Sequence, residues 1–226
     1  MRVLKRMGKK LKSNRGFTLV ELLAALAIVV MMSLMMSVGV SVGASVQRES
    51  TFVAESDLLA STVNTALSDV LRYATVRTVE AAAPGAEESA SYEQLEAMKT
   101  LLKNEDGDQC LIDTDGYGIG GGAVVLDSYG GDATKKRLAI SQYVTRTLSD
   151  DPSNPSTITE EKVYYLVSHG IYTNLEIQNS GDHKFELTYI EDGTKKYFHV
   201  HYWIAEKRAS NPLTKEVEAY FRVANE

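Results

Sequence analysis

Residues 12–36, KSNRGFTLVELLAALAIVVMMSLMM, join a basic arm to a long apolar run. Neither a charged residue nor a proline occurs from Leu22 to Val46. As a helix this run would extend about 37 Å, against roughly 30 Å of membrane hydrocarbon. The run is therefore long enough to cross a bilayer. A single carboxylate, Glu21, lies near its start and needs an explanation, because an unpaired charge is costly in lipid.

Two ordinary kinds of segment provide alternatives. A secretory signal peptide has a short apolar core followed by a small-residue cleavage site. This run is longer than a usual signal core, and the small residue Gly16 precedes it, although Val42-Gly43-Ala44 offers a candidate site after it. The second alternative is an uncleaved anchor that tolerates Glu21 near the membrane interface, where a charge costs less than at the bilayer centre.

The hexapeptide Gly16-Phe17-Thr18-Leu19-Val20-Glu21, after a basic leader, resembles the cleavage and methylation motif of type IV prepilins and of the related pseudopilins of type II secretion and competence systems. The resemblance implies that a prepilin peptidase cuts after Gly16 and methylates the new amine of Phe17. It also implies that the apolar run stays in the mature protein, first as an anchor and later as the packed core of a helical filament. The acid of that motif maps onto Glu21, with a proposed role in pairing with the N-terminal amine of a neighbouring subunit.

Electrostatics agrees with this role for Glu21. A nearby ammonium removes most of the cost of a carboxylate in lipid, so a poorly satisfied acid favours a neighbour at one axial offset. One departure from the family concerns the proline that many major pilins carry at the position of Val38. Here Gly39 and Gly43 lie among serines instead. Glycines loosen a helix and permit close helix approach, so this pair is a candidate hinge or packing notch, or is merely tolerated there.

The charge distribution predicts the topology. Seven of the 24 Lys and Arg residues precede residue 16 with no acid among them, so the remaining chain carries 17 against all 30 Asp and Glu residues. By the positive-inside rule the N-terminus lies in the cytoplasm and the residues after 46 lie outside. An acidic body repels phosphates unless it has a local basic patch, so general nucleic-acid binding is not expected. The single cysteine, Cys110, excludes an intrachain disulfide.

Beyond the apolar run, the helical pattern continues with an apolar stripe. Pro84-Gly85 is a strong stop, so the sequence predicts one helix from about Thr18 to about Ala82. The stripe consists of Phe52, Leu59, Val63, Ala66, Val70 and Ala74, widened by Leu58, Leu67 and Leu71. The length of this predicted helix matches the extended spine helix that the prepilin resemblance implies.

The rest of the chain predicts a short helix and then strands. Ser91-Tyr92-Glu93-Gln94 is a capping box that opens the short helix. From about Cys110 the apolar period becomes two, and Asp192-Gly193 predicts a hairpin turn. Strands are predicted near 123–127, 138–148, 162–168 and 171–177, and in the alternating stretches around Phe185–Tyr189, Phe198–Ile204 and Val217–Val223.

An antiparallel sheet with one apolar face needs a cover, and the amphipathic part of the helix can supply it. The predicted fold is α+β: a long N-terminal transmembrane and spine helix packed on a C-terminal antiparallel sheet head. The predicted segments are a cleaved cytoplasmic leader (1–16), the transmembrane and assembly half of the helix (17–46), its amphipathic half (47–83), a connection with a short helix (84–109) and a β-rich extracytoplasmic head (110–226).

Residues that suggest metal or catalytic chemistry are few. Asp113 and Asp115 lie in a glycine-rich, acidic stretch, but the spacing does not fit an EF-hand, and solvated turns explain it better than calcium. His199 and His201 face one side of a strand, a geometry that suits zinc, although a third ligand is missing locally. No cofactor is therefore predicted. Cys110 with a histidine would be a nucleophile pair without any family signature.

The leading functional hypothesis is a structural one: a prepilin-like subunit, not an enzyme, that assembles into a type IV pilus or a pseudopilus, with a slight preference for a minor subunit. Expected partners are the prepilin peptidase, other pilin or pseudopilin subunits, the cytoplasmic membrane and, indirectly, the assembly platform and its ATPase. The predicted location is the cytoplasmic membrane and then an extracytoplasmic filament. The alternatives are a filament-borne adhesin or uptake receptor, and a membrane-anchored extracytoplasmic enzyme that uses Cys110 or the histidines.

Overall fold

A computed structural model describes residues 18–80, 85, 89–114, 119–128, 136–147, 157–167, 174–207 and 210–224. The predicted cleavage site at Gly16 and Phe17, and Asp115 of the acidic stretch, lie outside these residues. The chain divides into two compact units, the first ending at Ser50 and the second beginning at Thr51. Each unit is described separately.

In the first unit, the described residues after Thr18 are entirely helical. They belong to helix α1, which runs from Leu19 to Leu71. Every described residue up to Ser50 is exposed, including the leucines, valines and methionines of the apolar run. A helix that is apolar on all sides has no single face to bury in a protein core, and lipid is the environment that suits such a surface.

In the second unit, α1 buries one face. The predicted stripe is confirmed at Phe52, Leu59, Val63 and Val70, and Leu67 and Leu71 are fully buried with them. Leu58 is the exception, since 63% of it is exposed. It follows Asp57 on the solvent side of the helix, so its place in the widened stripe was predicted wrongly.

The helix ends at Leu71 rather than near Ala82, as the sequence predicted. The following residues form strand β1, Thr75–Thr78, so the amphipathic half of the helix is shorter than the predicted segment 47–83. Two physical causes explain the early end. The run Thr75-Val76-Arg77-Thr78-Val79 is rich in β-branched residues, which favour a strand. The carbonyl of Arg72 accepts a hydrogen bond from the backbone N–H of Ala224 at 2.7 Å, outside the helix.

The predicted short helix is confirmed as α2, Tyr92–Lys99. Its capping box is formed as expected: Ser91 Oγ accepts from the Gln94 backbone N–H, and the Gln94 side chain accepts from the Ser91 backbone N–H. Strand β2, Leu102–Asn104, follows at once. The head therefore includes two strands that precede residue 110. The predicted boundaries had placed β1 in the amphipathic half of the helix and β2 in the connection.

Five strands form the first sheet, in the order β1-β3-β4-β5-β6, with antiparallel neighbours throughout. The new members are β3 (Cys110–Thr114), β4 (Ile119–Ser128), β5 (Lys136–Thr147) and β6 (Thr157–Tyr165). At Gly122 of β4, an added Cβ would lie 2.4 Å from the Ser141 carbonyl oxygen, so no larger residue fits there without a shift of the backbone. As far as the structure describes the chain, β6 is the last strand of this sheet.

The second sheet has the order β10-β9-β8-β2, and β7 also pairs with β9. Its further strands are β7 (Leu175–Ile177), β8 (Glu186–Asp192), β9 (Lys195–Glu206) and β10 (Thr214–Arg222). The predicted hairpin is confirmed, since Asp192 pairs with Lys195 and Gly193 has a φ of 62°. The pair β2–β8 is parallel, unlike the other neighbours.

The core of the head lies among α1 and the two sheets. Leu59 and Leu67 of α1 belong to one cluster with Ile112, Val124 and Ile140 of the first sheet, and with Val200, Tyr202 and Ile204 of the second. The predicted cover of an antiparallel sheet by the helix is therefore confirmed, with two sheets in place of one. The Tyr202 hydroxyl donates to Asn64 Oδ1 at 3.1 Å, so this buried polar group on β9 is satisfied by the helix.

Candidate functional site

Glu21 lies at the start of α1 in a second capping box. The Thr18 backbone N–H and the Thr18 hydroxyl both donate to Glu21 Oε2, at 2.9 and 3.0 Å. In return the Glu21 backbone N–H donates to Thr18 Oγ1 at 3.3 Å. Thr-x-x-Glu is the sequence signature of this arrangement, which satisfies donors that a helix start leaves without partners. The sequence analysis did not predict it, although the spacing of Thr18 and Glu21 is the local signal for it.

The capping box changes the interpretation of Glu21. The sequence suggested a poorly satisfied acid, whereas one carboxylate oxygen holds the first turn of its own helix. Within residues 18–80 and the other described segments, Oε2 makes all the hydrogen bonds of this carboxylate. A carboxylate can accept several hydrogen bonds at once, so Oε1 has the capacity for a further donor.

The apolar part of α1 follows directly after Glu21. Among the described residues, α1 is the one helix long and apolar enough to cross a membrane. Gly39 and Gly43 lie on it with no heavy atom within 4 Å of the Cβ that either would carry in place of glycine. Both positions are therefore open, and none of the described residues would contact a side chain there. Ser33 and Ser45 direct their hydroxyls to the helix backbone, at Val29 and Val42.

Comparison with known families identifies the N-terminal segment. Residues 11–37 match the prokaryotic N-terminal methylation motif. This match agrees with the class III signal of type IV prepilins and pseudopilins, and it contains Gly16, Phe17 and Glu21. No curated protein and no solved structure matches the chain. The motif and the long apolar helix together fit a pilin-like precursor that is anchored in a membrane and carries a C-terminal head.

The two metal candidates of the sequence analysis have other partners. Asp113 accepts from Arg77 Nε at 2.6 Å across the β1–β3 pair, and Arg77 also contacts Glu93 of α2. The hydrogen bond to Asp113 is the main reason why the pKa of Arg77 is raised. Asp113 therefore ties a strand to its neighbour in this structure.

His199 and His201 lie side by side on the outer face of β9, as predicted, with their rings stacked 6.4 Å apart. Each is held by a glutamate of β10: His199 Nε2 lies 2.9 Å from Glu218, and His201 Nε2 lies 2.7 Å from Glu216. Trp203 and Tyr220 extend the row of rings. Within the described residues, no group of three or more His, Cys, Asp or Glu side chains could hold a metal ion.

Cys110, the candidate nucleophile, is fully buried in the core. Burial raises the pKa of its thiol, although a contact with Thr78 Oγ1 at 3.7 Å opposes the shift. A thiol of raised pKa carries little of the reactive thiolate form. Cys110 is thus placed as a small core residue rather than as a nucleophile.

A polar cluster that the sequence did not reveal attaches α2 to the first sheet. Lys99 Nζ donates to Glu161 at 2.9 Å and to Tyr143 Oη at 3.0 Å, and Ser141 Oγ donates to Glu161 at 2.6 Å. Burial alone would raise the pKa of Glu161, but these hydrogen bonds from Ser141 and Lys99 outweigh it and hold the pKa below its ordinary value. Burial raises the pKa of Glu96, whose carboxylate accepts from the Tyr143 backbone N–H.

Proposed function

We propose that this chain is the precursor of a filament subunit, cut after Gly16, N-methylated on Phe17 and assembled through α1 into a type IV pilus or a pseudopilus. The observation that carries the proposal is the methylation motif at residues 11–37, continuous with an apolar helix that is exposed on every side. The work of such a subunit is non-covalent assembly, and the motif points to a structural protein rather than an enzyme.

The proposed topology follows from charge. Seven cations before residue 16 keep the leader in the cytoplasm by the positive-inside rule, so the head lies on the other side of the membrane. The peptidase and the neighbouring subunits are the expected partners, and the assembly platform acts on the subunit indirectly. A minor subunit is the more specific proposal, supported by the absence of proline at Val38 of the apolar helix.

Glu21 supplies the proposed assembly contact. Its Oε2 holds Thr18 of its own chain, which fixes the position of the carboxylate at the start of the helix. Oε1 then accepts a hydrogen bond from the methylated N-terminal ammonium of a neighbouring subunit that lies farther along the filament axis. An ammonium and a carboxylate that meet in lipid relieve each other's desolvation cost, so the pair favours one offset between subunits.

Mass spectrometry of the mature N-terminus tests the processing step. Cells that contain the prepilin peptidase should yield a chain that begins with N-methylated Phe17, and peptidase-deficient cells should yield the uncut chain. Gly16→Val should leave the leader attached, while Gly39→Val should be processed normally. A chain that starts at Met1 in peptidase-positive cells, or one cut after residue 40, would refute the proposal.

Two variants test the assembly step separately from processing. Glu21→Gln removes the charge but keeps an acceptor for Thr18, so the helix start is preserved while the pair with the amine is lost. We expect at least a tenfold drop in incorporation into filaments, in the range of a charge-assisted hydrogen bond of about 1.5–3 kcal/mol. Glu49→Gln, an exposed acid farther along the same helix, is the matched control. Unchanged incorporation of the Glu21 variant would remove Glu21 from the assembly contact.

A further inference from the structure

The outer edge of the first sheet is a long strand with a regular pattern. Strand β6 pairs with β5 over nine residues, from Thr157 to Tyr165. Within the described residues, β6 has no strand on its other side. Alternate backbone N–H and C=O groups of such a strand point away from the sheet and can pair with a further strand. Edge strands of this kind recruit partners by β-strand addition.

The two faces of β6 differ. Tyr164 lies opposite Ile140 of the main core, so Ile158, Glu160 and Lys162 share that face by the period of two. Val163 lies opposite Ser141 on the other face, together with Glu161. Ile158 is 42% exposed, a large apolar side chain left open at the edge of the sheet.

Glu160 and Lys162 carry opposite charges on the same face of β6. In the part of the chain that the structure describes, neither side chain forms an ion pair or a hydrogen bond. Glu161, between them, is different: Lys99 Nζ lies 2.9 Å from its carboxylate and Ser141 Oγ lies 2.6 Å from it. The charge of Glu161 is thus balanced within the chain, whereas Glu160 and Lys162 have no such partner among the described residues.

We propose that β6 pairs antiparallel with β6 of a second copy of this chain, with Glu161 opposite Glu161 at the two-fold axis. In this register Glu160 lies opposite Lys162 of the second copy, and the symmetry makes that pair twice. Ile158 lies opposite Tyr164, also twice. Opposite charges and aromatic–β-branched pairs that face each other across strands are each stabilising. The first sheet of one copy and the first sheet of the other would then form one continuous sheet.

The neighbouring registers are disfavoured by the same residues. In a two-fold symmetric antiparallel pair, residues that face each other must lie on the same face of the sheet. The register can therefore change only in steps that move the two-fold axis by one residue along β6. One such step places Lys162 opposite Lys162, and the step in the other direction places Glu160 opposite Glu160. Like charges directly opposite one another are destabilising. The proposed register also places Glu161 opposite Glu161, but Lys99 Nζ of the same copy lies 2.9 Å from each of these carboxylates and offsets their repulsion. Among the described residues, Glu160 and Lys162 have no such ion pair. The charges on β6 therefore favour this register over its two neighbours.

Charge reversal provides a test with a built-in complement. In Glu160→Lys, both symmetric pairs become lysine against lysine, and in Lys162→Glu both become glutamate against glutamate. Each variant alone should dimerise at least about tenfold more weakly than the wild type, given two repulsive pairs in place of two attractive ones. A mixture of the two variants restores opposite charges at both positions and should form a heterodimer.

The full-length chain in detergent is the material for this experiment, with size-exclusion chromatography and light scattering over a range of concentrations. Glu80→Lys and Lys184→Glu, exposed positions with the same charge changes elsewhere in the head, are matched controls and should dimerise like the wild type. Fluorescence of Trp203, the only tryptophan, checks that each variant is folded. The double variant Glu160→Lys/Lys162→Glu should dimerise again.

Three results would overturn the proposal: a monomeric wild type at all concentrations, single variants that dimerise as well as the wild type, or a mixture that stays monomeric. A dimer that persists in the single variants would be held by other residues. The proposal does not rest on the function proposed above, since Glu21→Gln leaves β6 intact and should leave dimerisation unchanged. The assembly role of Glu21 can therefore fail while the β6 pairing holds, and the reverse.

Discussion

Helix α1 presents two different surfaces along one backbone. From Leu19 to Val46 its apolar side chains are exposed all round, whereas from Phe52 to Leu71 most of them are buried on one face, and the exposed face is mainly polar apart from Val53 and Leu58. Leu34 and Leu67 show the contrast, since 64% of Leu34 is exposed and Leu67 is fully buried. The same residue type therefore lies in two environments: a surface suited to lipid in the first part, and a protein core in the second.

The difference teaches that apolar content and apolar pattern carry separate information. An all-round apolar helix gains nothing from a particular rotation about its axis, so its sequence can vary in composition while keeping its hydrophobicity. A striped helix must keep each apolar side chain in place, because close-packed cores tolerate little change of volume. Substitutions of the same kind in the two parts should therefore have unequal effects on the head.

The largest expected effect comes from cavity formation in the striped part. Leu67→Ala should lower the free energy of unfolding of the head by about 2–5 kcal/mol, since the side chain is fully buried between α1 and the sheets. Leu34→Ala, the matched change in the exposed part, should leave it unchanged. Urea unfolding of the full-length chain in detergent, followed by Trp203 fluorescence, measures both. Equal losses in the two variants would erase the distinction between the surfaces.

The next effect tests a polar contact of the striped part. Tyr202→Phe removes the hydroxyl that donates to Asn64 Oδ1, and should lower the unfolding free energy by about 1–2 kcal/mol, because the partner on the helix loses its donor. Tyr220→Phe is the control, since its hydroxyl contacts Glu218 on the exposed face of β10. The same urea titration applies, and a loss in Tyr220→Phe as large as that in Tyr202→Phe would contradict this account.

The two capping boxes offer a third comparison. Ser91→Ala opens the box of α2 in the head and should lower the unfolding free energy by about 1 kcal/mol. Thr18→Ala opens the box at the start of α1, and the unfolding of the head should not respond. Thermal unfolding of both variants measures the effect. A destabilised head in Thr18→Ala would mean that the start of α1 contributes to head stability.

The smallest effect is a pH dependence of the head. The lowered pKa of Glu161 means that its stabilising contribution is present above the ordinary glutamate pKa and is lost as the pH falls through the lowered value. The raised pKa of Glu96 has the opposite sign, because its contribution is present at low pH and is lost as the pH rises through the raised value. Melting temperatures between about pH 3 and pH 7 should therefore fall less steeply towards acid in Glu161→Gln than in the wild type.

Glu96→Gln is the reciprocal variant for the pH dependence. It removes a group whose contribution grows towards acid, so its melting temperature should fall more steeply than that of the wild type. Parallel pH profiles in the wild type and both variants would contradict this account, because they would show that the two carboxylates do not contribute to the pH dependence of the melting temperature.

Much of the fold could be predicted from local patterns. The apolar run, the stripe beginning at Phe52, the capping box at Ser91 and the turn at Asp192-Gly193 each have a signal within a few residues. The end of α1 had only a weak local signal, the β-branched run that follows Ala74. Tyr73 and Ala74 suit a helix, and the strand after them depends on pairing with β3, whose residues lie more than thirty positions later. The division into two sheets likewise depends on long-range pairing that periodicity does not record.

The candidate site shows the same limit from the other side. Gly16, Phe17 and Glu21 stand in a short motif, so their proposed roles could be read from the sequence. The capping partner of Glu21 also has a local signature, Thr18-x-x-Glu21, which was not among the predictions. The neighbours of His199 and His201 had none, because Glu216 and Glu218 reach them from another strand. Their pairing with glutamates depends on the register of β9 and β10.

The attachment of α1 within the head has a mechanical consequence. The buried face of residues 52–71 contacts both sheets, Tyr202 and Lys215 bond to Asn64 and Asp57 along its length, and the Arg72 carbonyl holds the backbone of Ala224 at its end. A pull along the axis of this part loads all these contacts in parallel. They must then slide together rather than open one after another. A head joined in this way resists tension through many weak contacts that share the load.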